Sequence, residues 1–89
     1  MLNDEQAMQV VVDCIRSVSH VPNVDTTGSL DDAEISSDER VNNMVDLIVN
    51  DEEIGVPSKG QRISESEFEN VDSDTIVNAL INIVRDKSA

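Results

Sequence analysis

The chain has 89 residues, enough for one compact domain with a modest core and too few for two. Nineteen acidic residues against six basic ones give a net charge of -13, which disfavours binding to nucleic acid and anionic lipid and favours basic partners. Hydrophobic residues make up 38% of the chain, too many for a disordered acidic tail, and Phe68 is the only aromatic residue. We therefore expect a single acidic, monomeric domain over residues 1–89 with an aliphatic core.

The cysteine content and the first residues lead to expectations about the compartment. Cys14 is the only cysteine, so the chain can form neither an internal disulfide nor a thiolate metal cluster. Residues 1–5 are mostly acidic or polar and lack the basic and apolar regions of a signal peptide, and no apolar run has the length of a membrane span. We expect a cytoplasmic protein that neither inserts into a membrane nor binds a metal.

Apolar residues recur at intervals of three and four in three segments, which predicts three longer α-helices. The first covers residues 4–20 behind an Asn3 cap, the second runs from about Ser37 to Asn50, and the last covers about 73–86 behind a cap at Asp72 or Ser73. The side chains expected on their buried faces are Ala7, Met8, Val11, Val12, Ile15, Val18, Val41, Met44, Val45, Leu47, Ile48, Ile76, Val77, Leu80, Ile81, Ile83 and Val84.

A long polar loop, residues 22–35, separates the first two helices and is rich in Pro, Asn, Asp, Thr and Gly. Leu30 and Ile35 are isolated large apolar side chains in it, so we expect both to anchor the loop to the core. Loops of this length in small domains usually have a function.

Between the second and last helices the pattern predicts a short third helix. Ile54 and Val56 are expected anchors before a Pro-Ser-Lys-Gly break, and residues 64–67 (Ser-Glu-Ser-Glu) fit a capping box with Phe68 as the anchor behind it. Since no segment alternates like a strand, the fold class is all-α. We predict a small four-helix bundle with three longer helices, a short helix III and a long first loop.

Ser37 is the candidate functional residue. Ser36 fits an N-cap, with Glu39 completing a capping box, which places the Ser37 hydroxyl where the long loop meets a helix. The positive end of the helix dipole would favour a phosphodiester there by about 0.3–1 kcal/mol. No paired base and nucleophile, metal-ligand set or glycine-rich phosphate loop is recognisable, so the protein is not expected to be an enzyme.

The segment Asp31-Asp32-Ala33-Glu34-Ile35-Ser36-Ser37-Asp38-Glu39-Arg40-Val41 resembles the signature of the acyl carrier protein family. In that family acidic residues and Leu-Gly-Ala/Ile lead into Asp-Ser-Leu and a helix. The likeness extends over nearly the whole chain: an acidic first helix, a long loop, an acidic second helix, a Val56-Pro57 exit, a short third helix and an amphipathic last helix. Glu34, Ser36 and Asp38 stand where the family usually has glycine, aspartate and leucine.

The resemblance implies that Ser37 carries 4'-phosphopantetheine, donated from coenzyme A by a phosphopantetheinyl transferase. The terminal thiol would hold acyl intermediates as thioesters in fatty-acid, lipid or specialised biosynthesis. Acyl-processing enzymes with basic patches would dock on Glu39, Asp46, Asp51, Glu52 and Glu53. Two alternatives stay open: Ser29 in Ser29-Leu30-Asp31 as the matching serine, and an unmodified acidic protein-interaction module.

Overall fold

A computed structural model describes residues 2–51 and 65–87. Within these ranges α1 covers Asp4–Ser19, α2 covers Asp38–Val49, α3 covers Val77–Lys87, and short 3₁₀-helices cover Asp31–Ala33 and Glu65–Phe68. The all-α fold class is confirmed, but the predicted count of four helices is not. The described residues form three α-helices and two 3₁₀-turns, and the Glu65–Phe68 turn lies where the short third helix was expected. Ile54, Val56 and Ser64 lie outside the described residues. None of the described helices combines the length and apolar character needed to cross a membrane.

α1 is the central helix, packing against both α2 and α3, and both of its ends are capped. Asn3 Oδ1 accepts a hydrogen bond from the Gln6 N–H at 2.8 Å, and Gln6 Oε1 accepts one from the Asn3 N–H at 3.0 Å. This reciprocal pair confirms Asn3 as the N-cap. At the other end His20 adopts a left-handed φ of 61°, and its N–H donates to the Arg16 carbonyl at 3.0 Å.

The core lies among the three helices and is completed by side chains from the loop and the second 3₁₀-helix. Leu30, Ile35 and Phe68 are buried in it, which confirms all three as anchors. The buried hydrophobic residues are Ala7, Val10, Val11, Cys14, Ile15, Leu30, Ala33, Ile35, Val41, Met44, Val45, Ile48, Phe68, Val77, Leu80, Ile81 and Val84.

Of the side chains predicted on buried faces, Val12, Val18 and Ile83 are half-buried and three others are exposed. Met8, Leu47 and Ile76 are 39%, 42% and 44% exposed, respectively. In α1 the buried stripe passes through Val10 and Cys14, which leaves Met8 on its edge. Apolar spacing identifies a helix face only to within about one residue on either side, because both i+3 and i+4 neighbours share that face.

α3 begins later than predicted, because residues 72–75 form a turn of their own. Asp72 Oδ1 accepts from the Asp74 N–H at 2.9 Å, and the Asp72 carbonyl accepts from the Thr75 N–H at 3.1 Å. The first two N–H groups of α3, those of Val77 and Asn78, donate to loop carbonyls at 2.9 Å each. The predicted cap at Asp72 or Ser73 is therefore wrong, since backbone carbonyls of the first loop satisfy these donors.

The first loop is fastened to the start of α3 by its backbone. The carbonyls of Gly28 and Thr26 accept the two α3 N–H groups, and the Leu30 N–H donates to the Thr75 carbonyl at 2.9 Å. Ser29 and Ile76 form an isolated antiparallel bridge, which places Ile76 before the helix. These hydrogen bonds hold the loop against the bundle and so fix the position of the residues that lead into α2.

Cys14 belongs to the core and not to a reactive site. The residue is 6% exposed, and burial, together with the negative charges of Asp51 and Asp13, raises the pKa of its thiol to about 12. The thiol therefore stays protonated at neutral pH and lacks the thiolate form needed for nucleophilic or redox chemistry.

Candidate attachment site at the start of α2

Ser37 is the residue at which the loop ends and α2 begins. Its backbone is extended, with φ of -129° and ψ of 157°, and its Oγ accepts a hydrogen bond from the Arg40 N–H at 3.2 Å. Ser37 therefore caps the helix, and the prediction that Ser36 does so is wrong. Ser36 lies one residue too early, because α2 begins at Asp38. Ser37 is also exposed, so one side chain combines the capping role with access to solvent.

The turn just before Ser37 is set by a strained residue between two buried ones. Glu34 has a left-handed φ of 65°, and its N–H donates to the Asp31 carbonyl at 2.9 Å. Ala33 and Ile35 on either side of it are buried. The left-handed region favours glycine, the residue usual at this position in the family that the sequence resembles.

Arg40 explains how this turn is joined to α2. A cation in the first turn of a helix is unfavourable with the helix dipole. Here the guanidinium reaches back across the turn, and Arg40 Nη1 donates to the Glu34 carbonyl at 2.9 Å. The Glu34 side chain takes no part in this hydrogen bond, which therefore depends only on the backbone at position 34.

Replacing Glu34 by glycine is expected to raise the free energy of unfolding by about 0.5–1 kcal/mol. Relief of a left-handed strain of about 1–2 kcal/mol outweighs the greater backbone entropy of glycine in the unfolded chain. Urea denaturation followed by circular dichroism measures the change. Glu34→Ala is the matched control, since it removes the same side chain and keeps the strain. The explanation fails if the glycine variant is no more stable than the alanine variant.

Ser29, the rival candidate, has a structural role. Its N–H donates to Asp32 Oδ2 at 3.1 Å, and its Oγ accepts from the Asp32 N–H at 3.2 Å. The residue is half-buried and pairs with Ile76 in the bridge to the start of α3. Ser37 is thus the more accessible of the two serines.

The structure describes three of the five predicted docking acids. Glu39 and Asp46 are exposed on α2 and stand about two helical turns apart, which puts them on one face of the helix. Asp51 follows the helix and is half-buried. Glu52 and Glu53 lie outside the described residues.

Glu65 is an acidic residue that the sequence did not single out. It lies in the 65–68 turn and faces Asp46 on α2. A hydrogen bond and like-charge repulsion with Asp46 raise the pKa of Glu65. A raised pKa in the folded state means that this pair favours folding at low pH and opposes it as the pH rises through that pKa. Nothing in the local sequence indicates the pairing, since the two residues belong to different elements.

A cleft of about 350 Å³ opens between α2 and the 65–68 turn. Buried Val41, Val45 and Phe68 form its apolar floor, while Asp46 and Glu65 stand on its rim. Val41 follows Ser37 by about one turn of α2. The arrangement places a mostly polar cleft with a small apolar floor about one helical turn from an exposed hydroxyl at a helix N-terminus.

Comparison of the chain with protein-family models, with curated proteins and with solved structures finds no match. The class of protein is therefore inferred from its own residues and geometry.

Proposed function

We propose that the protein is a discrete acyl carrier protein that bears 4'-phosphopantetheine on Ser37 Oγ and holds acyl intermediates as thioesters on the terminal thiol. The proposal rests mainly on the exposed serine at the N-terminus of α2. This serine follows a loop that backbone hydrogen bonds hold against the start of α3. The helix order supports it, with the 65–68 turn in the place of the short third helix of a four-helix carrier bundle.

In this proposal the chain contributes position and electrostatics, while partner enzymes carry out the chemistry. Ser37 Oγ accepts a hydrogen bond from the Arg40 backbone N–H, and an unactivated serine hydroxyl is a poor nucleophile. A transferase holding coenzyme A and Mg²⁺ would supply the activation. Once formed, the phosphodiester would be held at Ser37, where the positive end of the α2 dipole would stabilise it by about 0.3–1 kcal/mol.

Two further features fit the same role. Glu39 and Asp46 give basic enzymes two acidic side chains on the helix that begins at Ser37, and complementary charge speeds encounter. Asp51, which follows the far end of α2, and Glu52 and Glu53, which follow it in the sequence, are the other acids proposed for docking. In the mostly polar cleft between α2 and the 65–68 turn, Val41, Val45 and Phe68 are the apolar side chains that an acyl chain would contact. The net charge of -13 disfavours self-association, so we propose a monomer. The single cysteine, which allows no internal disulfide, is consistent with the proposed cytoplasmic location.

Intact-mass measurement after incubation with coenzyme A, Mg²⁺ and a broad-specificity phosphopantetheinyl transferase tests the proposal. We expect wild type and the Ser36→Ala control to gain the mass of one phosphopantetheinyl group, and Ser37→Asn to gain none. Asparagine is chosen because it retains the N-cap, whereas alanine would cost about 1 kcal/mol of stability. An unchanged wild-type mass, or a gain in Ser37→Asn, overturns the assignment.

The second candidate is an unmodified acidic interaction module. It is favoured by the capping bond itself, because Ser37 already has a complete structural role through Arg40 and is followed by the acidic Asp38. In that case Asp46→Lys abolishes capture of the native partner, while Ser37→Asn leaves capture unchanged. A carrier would lose the transfer of its thioester in Ser37→Asn.

A further inference from the structure

Leu47, which the apolar pattern placed on or near the buried side, points to a second surface of the molecule. The residue is 42% exposed on α2 and lies in a groove of about 480 Å³ between α1 and α2. Val18 on α1 is half-buried beside it, and polar Ser17, Asn43, Asp46 and Asn50 form the edges. The groove is separate from the cleft floored by Phe68, although Asp46 borders both.

Asp46 is the charged side chain among the described residues that line this groove, and it lies on α2. Asp13 lies one turn before Ser17 on α1 and lines the neighbouring depression together with Arg16 and His20. The acid at the groove itself is therefore Asp46, and the net charge of -13 adds to its attraction for a basic partner.

A groove between α1 and α3 provides the contrast. It contains Met8, which is 39% exposed, but its rim includes Arg85. Arg85 Nη1 lies 2.8 Å from Asp4 Oδ1, so a cation already balances the acid at that edge. Among the described residues that line the Leu47 groove, none is basic.

We propose that the Leu47 groove docks a basic amphipathic helix from a partner protein, with one large apolar side chain packed on Leu47 and Val18 and lysines or arginines facing Asp46. A groove between two packed helices matches the ridge of a third, and such helices bind through apolar anchors at helical spacing. A second copy of this chain is disfavoured, because each copy carries a net charge of -13.

The proposal extends the docking part of the proposed function and does not depend on the group carried by Ser37. Unmodified full-length protein therefore serves as the test material, and failure of transferase labelling would leave this result unaffected. The probe is a fluorescent synthetic helix of about 18 residues, with leucines along one face and lysines elsewhere, long enough to be helical when bound. Anisotropy titration gives its Kd at physiological ionic strength.

We expect wild type to bind the helix and Leu47→Asp to weaken binding about tenfold or more, because an apolar anchor is replaced by a desolvated charge. Met8→Asp adds the same charge at a similarly exposed apolar site and is expected to change Kd by less than about threefold. Amide shifts in a nitrogen-15 spectrum should concentrate at Val18, Asn43 and Leu47.

Three results overturn the proposal: equal effects of the two substitutions, equal binding of a scrambled peptide with the same charge and no apolar face, or no binding by wild type. The first two would show that net charge alone attracts the peptide. Circular dichroism of Leu47→Asp checks that the variant keeps its helices, which its exposure leads us to expect.

Discussion

Replacing Leu30 by alanine is expected to lower the free energy of unfolding by about 2–5 kcal/mol. Leu30 is fully buried, so truncation loses its burial and leaves a cavity in the core. A domain of 89 residues is stabilised by only about 4–13 kcal/mol in total, so the loss is a large fraction of it. Urea denaturation, followed by the helical circular dichroism signal, measures the change.

The same substitution also tests how the loop positions Ser37. The Leu30 N–H donates to Thr75, and its carbonyl accepts from the N–H groups of Ala33 and Ile35 at 3.0 and 2.8 Å. Hydrogen exchange at Ala33 and Ile35 should therefore accelerate in Leu30→Ala. Leu47→Ala is the matched control, since it removes the same atoms from a residue that is 42% exposed, at a cost below about 1 kcal/mol. Equal losses in the two variants would contradict the anchoring role of Leu30.

Replacing Phe68 by alanine is expected to cost about 3–5 kcal/mol of stability. Phe68 is 3% exposed and is the only aromatic residue in the chain. It belongs to a four-residue 3₁₀-helix that packs against α2 and α3, and so short a helix has little stability of its own. Burial of Phe68 is therefore the main force that holds this turn against the bundle.

Phe68→Leu is the control for this prediction. Leucine keeps most of the apolar volume, so its cost should be about half that of alanine or less. Thermal and urea unfolding give the stability of both variants, and hydrogen exchange at Val71, whose N–H donates to the Phe68 carbonyl at 2.9 Å, reports on the turn. If leucine costs as much as alanine, the aromatic ring itself and not its volume determines the packing.

α1 and α2 illustrate what local sequence predicts well. Each combines a strong N-terminal signal, Asn3 for α1 and a serine pair for α2, with apolar residues at helical spacing, and both helices lie within a residue or two of the predicted bounds. Leu30, Ile35 and Phe68 were identifiable for a similar reason. Each is a large apolar side chain in polar surroundings, which burial stabilises by about 1.5–3 kcal/mol.

The candidate site was only partly predictable. Ser37 could be singled out from the sequence, yet which of two adjacent serines caps α2 depends on where the backbone enters the helix. That entry is set by the left-handed Glu34 and by the Arg40 bond to its carbonyl. The Asp46–Glu65 pair left no sequence signal, because the two residues come from elements brought together by packing.

The sequence by itself determined the all-α class, the acidic surface, the aliphatic core and the exposure of a serine between a long loop and a helix. These follow from composition, periodicity and capping, which act within a few residues along the chain. Only the tertiary structure decided that α3 starts at Val77, that Ser37 rather than Ser36 is the cap, and that Leu47 faces a groove. Those features depend on hydrogen bonds and packing between segments far apart in the chain, such as the loop carbonyls that cap α3.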